Sequence, residues 1–269
     1  MTISDARGTH HALNHRAQRI ISLVPSATET LHRLGLANRI VGVTRFCVHP
    51  DPWVKSVPKV GGTKDIDLDR ILALKPDLVV GNCEENTLEI FEAIEPHVPI
   101  WAPLPKNIPE AITDIGHLGQ LTGTQAQAEE FQQQATKAWQ EAKDSAQPFT
   151  YAYFIWQDPW MSISNDTFIA RMLEAVGGVN VFGDHPDRFP EIDMSGHITA
   201  IPDVVFLSSE PFPFKEKHRD ALCVMTGIPP ENVRFIDGEY ASWHGHRMIA
   251  GLSYLAQRTP NNWDRTPPR

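Results

Sequence analysis

Three soft donors lie in the first third of the chain: Cys47 and His49, two residues apart, and Cys83, which follows a later apolar run. Thiolate and imidazole are the ligands that zinc, copper(I) and cobalt centres prefer, so Cys47 and His49 are candidate metal ligands with Cys83 beside them. Cys-x-His is not one of the strong zinc spacings. In the competing reading Cys83 is a small buried hydrophobe and His49 only precedes a proline turn. A second group, Trp243-His244-Gly245-His246-Arg247, opens the last helical pattern, and Trp156 and Trp160 end or follow an apolar run. Indoles offer broad apolar planes and arginine pairs with carboxylates, although most tryptophans belong to cores. Ser22, Ser26, Thr44, Thr63, Ser208 and Ser209 stand where strand ends are expected and can supply hydrogen bonds there. Nothing resembles a nucleophile elbow, a P-loop or a GxGxxG fingerprint.

The elements that must position these residues are legible through a duplication. Ile66-Asp67-Leu68, Pro76-Asp77-Leu78-Val79-Val80 and Glu84 return 126 residues later as Ile192-Asp193-Met194, Pro202-Asp203-Val204-Val205-Phe206 and Glu210. Each copy reads as a short helix, a Pro-Asp turn, a buried strand and a polar loop. Gly35-Leu36-Ala37-Asn38 and Gly177-Gly178-Val179-Asn180 mark a helix exit before each copy. Strands are expected at 19–24, 39–44, 77–81, 98–102, 150–156 and 233–236. Helices are expected from Ser26 as N-cap to Gly35, at 67–74, 86–94, 109–121, 166–176, after Pro213 and at 244–257. This alternation predicts an α/β fold of two Rossmann-like lobes with central parallel sheets. Phe131, Ala135, Ala138 and Ala142 form one apolar stripe in a helix of about 22 residues, a rod of roughly 33 Å that joins the lobes. The expected organisation is a flexible N-terminus at 1–18, an N-terminal lobe at 19–123, a linking backbone helix at 124–147, a C-terminal lobe at 148–258 and a tail at 259–269, with a ligand cleft between the lobes. Between the two echoes the first lobe has residues 39–65 where the second has only 181–191, so the Arg45-Phe46-Cys47-Val48-His49-Pro50 loop is peculiar to the first.

A net charge of −9 with no basic stripe argues against a nucleic-acid partner. No apolar run approaches the roughly 20 residues of a membrane-spanning helix. Three cysteines without CxxC spacing do not suggest a disulfide framework and fit a reducing compartment. Residues 1–19 lack the apolar segment of a secretory signal, which predicts a cytoplasmic protein as written and a periplasmic one if the start is misassigned. The His10-His11 and His15 cluster in this stretch reads as disordered and incidental.

The run Arg19-Ile20-Ile21-Ser22-Leu23-Val24-Pro25-Ser26-Ala27-Thr28-Glu29, the Gly61-Gly62-Thr63 turn followed by Ile66-Asp67, and the Lys75-Pro76-Asp77-Leu78-Val79 corner resemble the iron-siderophore and cobalamin-binding proteins of ABC importers. Asp166-Thr167-Phe168 and Gly177-Gly178-Val179-Asn180-Val181-Phe182 resemble the same family's second lobe, so the match covers about residues 19–257. The resemblance implies two α/β lobes joined by a single backbone helix, with a metal chelate between them. Cobalamin or a related corrinoid comes ahead of haem, ferric siderophore or zinc, because a strongly anionic siderophore asks for several arginines and the rims offer only Arg45 and Arg247. The expected ligand-binding residues are Pro25, Ser26, Arg45, Phe46, Cys47, His49, Thr63 and Cys83 in the first lobe and Trp156, Trp160, Trp243, His244 and Arg247 in the second. The resemblance also implies that one surface carboxylate per lobe docks onto an ABC transporter permease, for which Glu84 and Glu210 are the candidates. The expected function is that of a monomeric, non-catalytic binding protein delivering its chelate to a transporter or an intracellular acceptor. The alternative is a cytosolic metal-binding protein or enzyme with Cys47, His49 and a second-lobe histidine around a metal.

Overall fold

A computed structural model describes residues 2–13, 16–194 and 201–258. The described residues divide into two compact units, one of Met1–Pro105, Pro109–Ala135 and His244–His246, the other of Lys106–Ile108, Thr136–Trp243 and Arg247–Arg269. The first contains a four-stranded parallel sheet of β3 (Ile20–Ser22), β4 (Ile40–Val43), β5 (Leu78–Val80) and β6 (Ile100–Trp101), in the order β4-β3-β5-β6. The second contains β7 (Phe149–Phe154), β8 (Gly178–Asn180), β9 (Val204–Ser208) and β10 (Val233–Ile236), all parallel, in the order β10-β9-β7-β8. Numbered within its own sheet, each unit has the spatial order 2-1-3-4. The duplication seen in the sequence is therefore a duplication of topology, and its two copies supply the third strand of each sheet, β5 and β9.

The apolar runs become central strands because both of their faces are covered. Ile20, Val80 and Leu78 belong to one core cluster of the first unit, whereas Ile21, Val79 and Ile100 belong to the other. The Pro-Asp pair of each copy ties the third strand to the first. Asp77 accepts hydrogen bonds from the backbone N–H of Gln18 and Arg19 at 2.9–3.0 Å. Asp203 accepts from the N–H and hydroxyl of Thr150 at 2.7 and 2.8 Å. The identical aspartates thus fix strand register instead of serving a ligand.

Helices connect these strands: α1 (Pro25–Leu31), α2 (Leu68–Ala73), α3 (Leu88–Ile94), α4 (Ile108–Thr122), α5 (Gln125–Asp144), α6 (Phe168–Glu174), α7 (Glu216–Thr226), α8 (Gly238–Ser242) and α9 (His246–Ala256). Asp67 and Thr167 cap α2 and α6 by accepting from the N–H three residues on. Ser26 does not cap α1; Val24 holds that position and Pro25 occupies the first turn, where a missing N–H costs nothing. In α5 the expected stripe is buried at Ala135, Ala138 and Ala142. The boundary between the units falls inside this helix, after Ala135.

Three expectations change. The stretch before Arg19 is not without structure, since β1 (Thr2–Ser4) and β2 (His10–Ala12) pair as an antiparallel hairpin. His11 is 6% exposed and packs edge-on against Trp101, which gives this histidine a core role. Gly178–Asn180, read only as a helix exit, already forms the edge strand β8 after Gly177 at φ 97°. A Cβ on Gly177 would lie 2.3 Å from the carbonyl oxygen of Gln147, so the position requires glycine. The helix of the second repeat copy falls partly on residues 195–200, and the tail 259–269 and His15 lie with them outside the described residues.

Candidate functional site

In parallel α/β sheets, ligands collect at the C-terminal ends of the strands. In the first unit this end is built from the β3–α1 turn, the loop after β4 and the β5–α3 loop. Pro25 and Ser26 are half-buried in the first turn of α1. After β4, Phe46 and Val48 are each 50% exposed. The Arg45 guanidinium lies 4.8 Å from the Phe46 ring centroid and makes two hydrogen bonds, 2.8 and 2.9 Å, to the carboxylate of Asp65. Those bonds close the Gly61-Gly62-Thr63 turn. Gly61 has φ 104°, and a Cβ there would stand 2.4 Å from the Asp65 carbonyl oxygen. Thr63 is half-buried, and its carbonyl accepts from Asn86 Nδ2 at 2.8 Å.

The soft-donor reading of this rim is corrected by burial. Cys47 is 2% exposed within the core, its Sγ 3.1 Å from the Thr28 hydroxyl and 3.2 Å from that of Thr44. Burial pushes its pKa up, so the group is a thiol packed among hydroxyls and not a thiolate presented to a metal. Cys83 is partly buried, donates to the Ala102 carbonyl at 3.3 Å, and is pushed by burial and then by the Asp5 charge to about 11. His49 is half-buried beside the Cys47 loop. Among the described residues no group of three or more His, Cys, Asp or Glu side chains is placed to hold a metal ion.

Asn82 and Asn86, which sequence reasoning passed over, organise the loop after β5. Asn82 Oδ1 accepts from the N–H of Glu84 at 2.8 Å, and its own N–H donates to Asn86 Oδ1 at 2.9 Å. The repeat held the signal, because Asn82 stands 126 residues before Ser208, whose Oγ accepts from the N–H of Glu210 at 3.3 Å. Both strand ends thus use a short polar side chain to turn the chain into its glutamate. Asn82 Nδ2 lies 3.0 Å from His244 Nε2. The amide can only donate there, so His244 is neutral with its proton on Nδ1, in accord with burial pushing its pKa down to about 4. A second contact of the 244–246 segment runs from the His246 N–H to the Thr30 hydroxyl at 3.0 Å.

In the second unit, Trp156 follows β7 at 40% exposure and meets Phe212, another residue that sequence reasoning missed, edge-on at 5.4 Å. Trp160 and Trp243 are instead taken into the fold. Trp160 is 8% exposed and stacks on Phe214 at 5.7 Å. Trp243 is 9% exposed and donates its indole N–H to Glu210 at 2.7 Å. Arg247 was expected as an exposed cation, but its guanidinium is 2.8 Å from the Glu239 carboxylate and 4.8 Å from the Trp243 ring centroid. With side chains only 11% and 22% exposed, this pair is neutralised internally. The two docking candidates also differ: Glu84 is exposed, whereas the Glu210 carboxylate is held by Trp243 and, at 3.1 Å, by Ser242.

Two α/β units of identical strand order, with ordered polar turns at their strand ends, define a duplicated parallel α/β fold. The periplasmic binding protein family model matches residues 20–222, and the chain belongs to that family. It is 29% identical over 200 residues to the vitamin B12-binding protein of Vibrio campbellii, covering 72% of each chain. Solved structures with the same fold include the periplasmic vitamin B12 binding protein of Vibrio cholerae, with a TM-score of 0.77 and 22% identity over 93% of this chain and 99% of that one. Another is the apo periplasmic heme-binding protein of Roseiflexus sp. RS-1, with a TM-score of 0.78 and 23% identity over 89% of this chain and 97% of that one.

Proposed function

We propose that the chain is a non-catalytic receptor for a planar metal chelate, a cobalt corrinoid ahead of haem. The observation that carries this reading is the family match over residues 20–222, with curated relatives that are vitamin B12-binding proteins at 29% identity. The strand-end surfaces agree with it. Phe46 and Trp156 stay exposed at the ends of β4 and β7 while Trp160, Trp243 and Arg247 are consumed internally, which leaves aromatic planes and few cations. A large, nearly neutral corrinoid suits such a surface better than a strongly anionic siderophore. Pro25, Ser26, Phe46, Thr63 and Trp156 are the proposed contacts, with His49 the one imidazole beside them that the Cys47 loop presents. Delivery to an ABC transporter permease through the exposed Glu84 belongs to the same proposal, as does the monomeric state.

The test is titration of the purified protein with cyanocobalamin and with haem, followed by visible absorbance and tryptophan quenching. Trp156→Ala and Phe46→Ala should each weaken binding by about 1–3 kcal/mol if the rings pack on the ligand. A protein that takes up neither chelate, and carries none as isolated from its native host, would refute the reading. Fractionation of that host tests whether the chain shares the periplasmic placement named for the solved proteins with its fold.

A further inference from the structure

A pocket of about 330 Å³ lies within the first unit, among the N-terminal hairpin, the segment after β6 and the start of α4, beside the loop after β5, whose Cys83 N–H donates to the Pro103 carbonyl at 3.0 Å. Its walls are apolar, from Trp101, Pro103, Pro105 and Pro109, and its polar groups are the acids Asp5, Glu110 and Asp114 together with Ser4, Thr113 and His117. Among the described residues no lysine or arginine lines it. Asp5 is already satisfied, because Arg7 lies 2.8 Å from it and the N–H groups of Thr9 and Ala102 bind it at 3.0 and 3.2 Å. Asp114 is different. It is 7% exposed, its Oδ1 accepts one hydrogen bond from the Trp101 indole at 2.8 Å, and its Oδ2 takes none from any described residue.

A carboxyl that is more than nine-tenths buried, with one oxygen bonded to an indole and the other open to the pocket, offers its free oxygen to a partner that enters there. Burial, only partly offset by the Trp101 hydrogen bond, pushes its pKa up to about 7, so it ionises readily once a positive partner arrives. Glu110, one turn earlier on α4, adds a second acidic group at the mouth. The neighbouring imidazole, His117, has its pKa pushed down by burial and brings no competing charge at neutral pH. A metal ion is a poor occupant, since no three-donor cluster exists among the described residues. An ammonium group on a short apolar body matches both the acid and the proline and tryptophan walls.

We propose that this pocket is a second ligand site, taking a small primary alkylammonium whose charged head pairs with Asp114 and whose alkyl chain lies along Trp101 and the prolines. The site goes beyond the chelate reading and does not depend on it. Its probe is n-butylammonium, with butan-1-ol as the uncharged control, followed by thermal stability and by the indole N–H resonance of Trp101. The ammonium should raise Tm and shift that resonance while butan-1-ol does neither. Asp114→Asn keeps an acceptor for the Trp101 indole and should weaken the response by about tenfold or more, as loss of a charge-assisted hydrogen bond requires. Should that variant fold poorly, Glu110→Gln, on the exposed side of α4, should weaken it by a smaller factor. An equal response from butan-1-ol, or no response from the native protein, would overturn the proposal. Chelate titrations of Asp114→Asn should match the native protein, so that failure here and failure of the chelate reading stay separable.

Discussion

Replacing Asp5 by Asn tests whether the first residues are structural. The Asp5 carboxylate accepts from the N–H, Nε and Nη2 of Arg7 at 2.8–3.0 Å, from Thr9 N at 3.0 Å and from Ala102 N at 3.2 Å. Arg7 in turn binds the Ile100 carbonyl at 3.0 Å and the Glu95 carboxylate at 2.5 Å, so the hairpin is fastened along the edge strand β6. Burial alone would raise the pKa of Asp5, but the His11 imidazole 3.9 Å away and hydrogen bonds from Arg7 and Thr9 outweigh it and hold the group at about 2 against an ordinary 3.8. A folded pKa below the unfolded one means stability that is present above about 3.8 and lost as pH falls toward 2. The gap is worth about 2.5 kcal/mol at neutral pH. Urea unfolding of Asp5→Asn should therefore show a loss of about 2 kcal/mol near pH 7, shrinking as both proteins are taken toward pH 3. Equal stabilities at neutral pH, or a loss unchanged by acid, would mean that the hairpin does not hold the edge of the sheet and that residues 1–18 are the loose segment the composition suggests.

Trp243 and His244 give two further outcomes. Trp243→Phe removes the donor to Glu210 and should cost about 1.5–3 kcal/mol of stability, the range for a hydrogen bond to a charged group; a weakened chelate affinity with an unchanged Tm would place Trp243 in a ligand site instead. His244, with its pKa pushed by burial to about 4, resists protonation that the unfolded chain accepts near 6.5. Its contribution is a stability loss that grows as pH falls from about 6.5 to 4, up to roughly 3 kcal/mol. A proton NMR titration should find no midpoint for its ring above about 5, and a midpoint near the ordinary histidine value would show that the contact with Asn82 is not made.

The framework was legible because its signals are local. Continuous apolar runs marked the central strands, Pro-Asp turns marked their beginnings, and the 126-residue echo announced two sheets of one topology. What escaped was set by partners remote in sequence. Nothing near Thr2–Ala12 signals that Asp5 will find the Ala102 N–H 97 residues away. Trp243 and Glu210 are 33 residues apart, and only their hydrogen bond turns an apparent ligand plane and an apparent docking acid into a single internal contact. Cys47 shows the same limit differently. Its loop position was readable, but its burial under Thr28 and Thr44 depends on which way the side chain turns after β4. Short edge strands such as β8 also escaped, because three residues of Gly-Val-Asn carry too little periodicity to outweigh a glycine.

The duplicated chain therefore separates what the fold needs from what the site needs. Several equivalent positions of the two copies serve the scaffold: the identical Asp77 and Asp203 clamp the first strands, and Asn82 and Ser208 shape equivalent turns with different side chains. The strand-end loops of the two units differ. The loop after β4 carries Arg45, Phe46 and Val48, with the Asp65 pairing that orders it. The second unit answers with Trp156 against Phe212 after β7. If the chain binds a chelate as proposed, exchanging the side chains of the loops after β4 and β7 should alter the ligand preference without altering the fold.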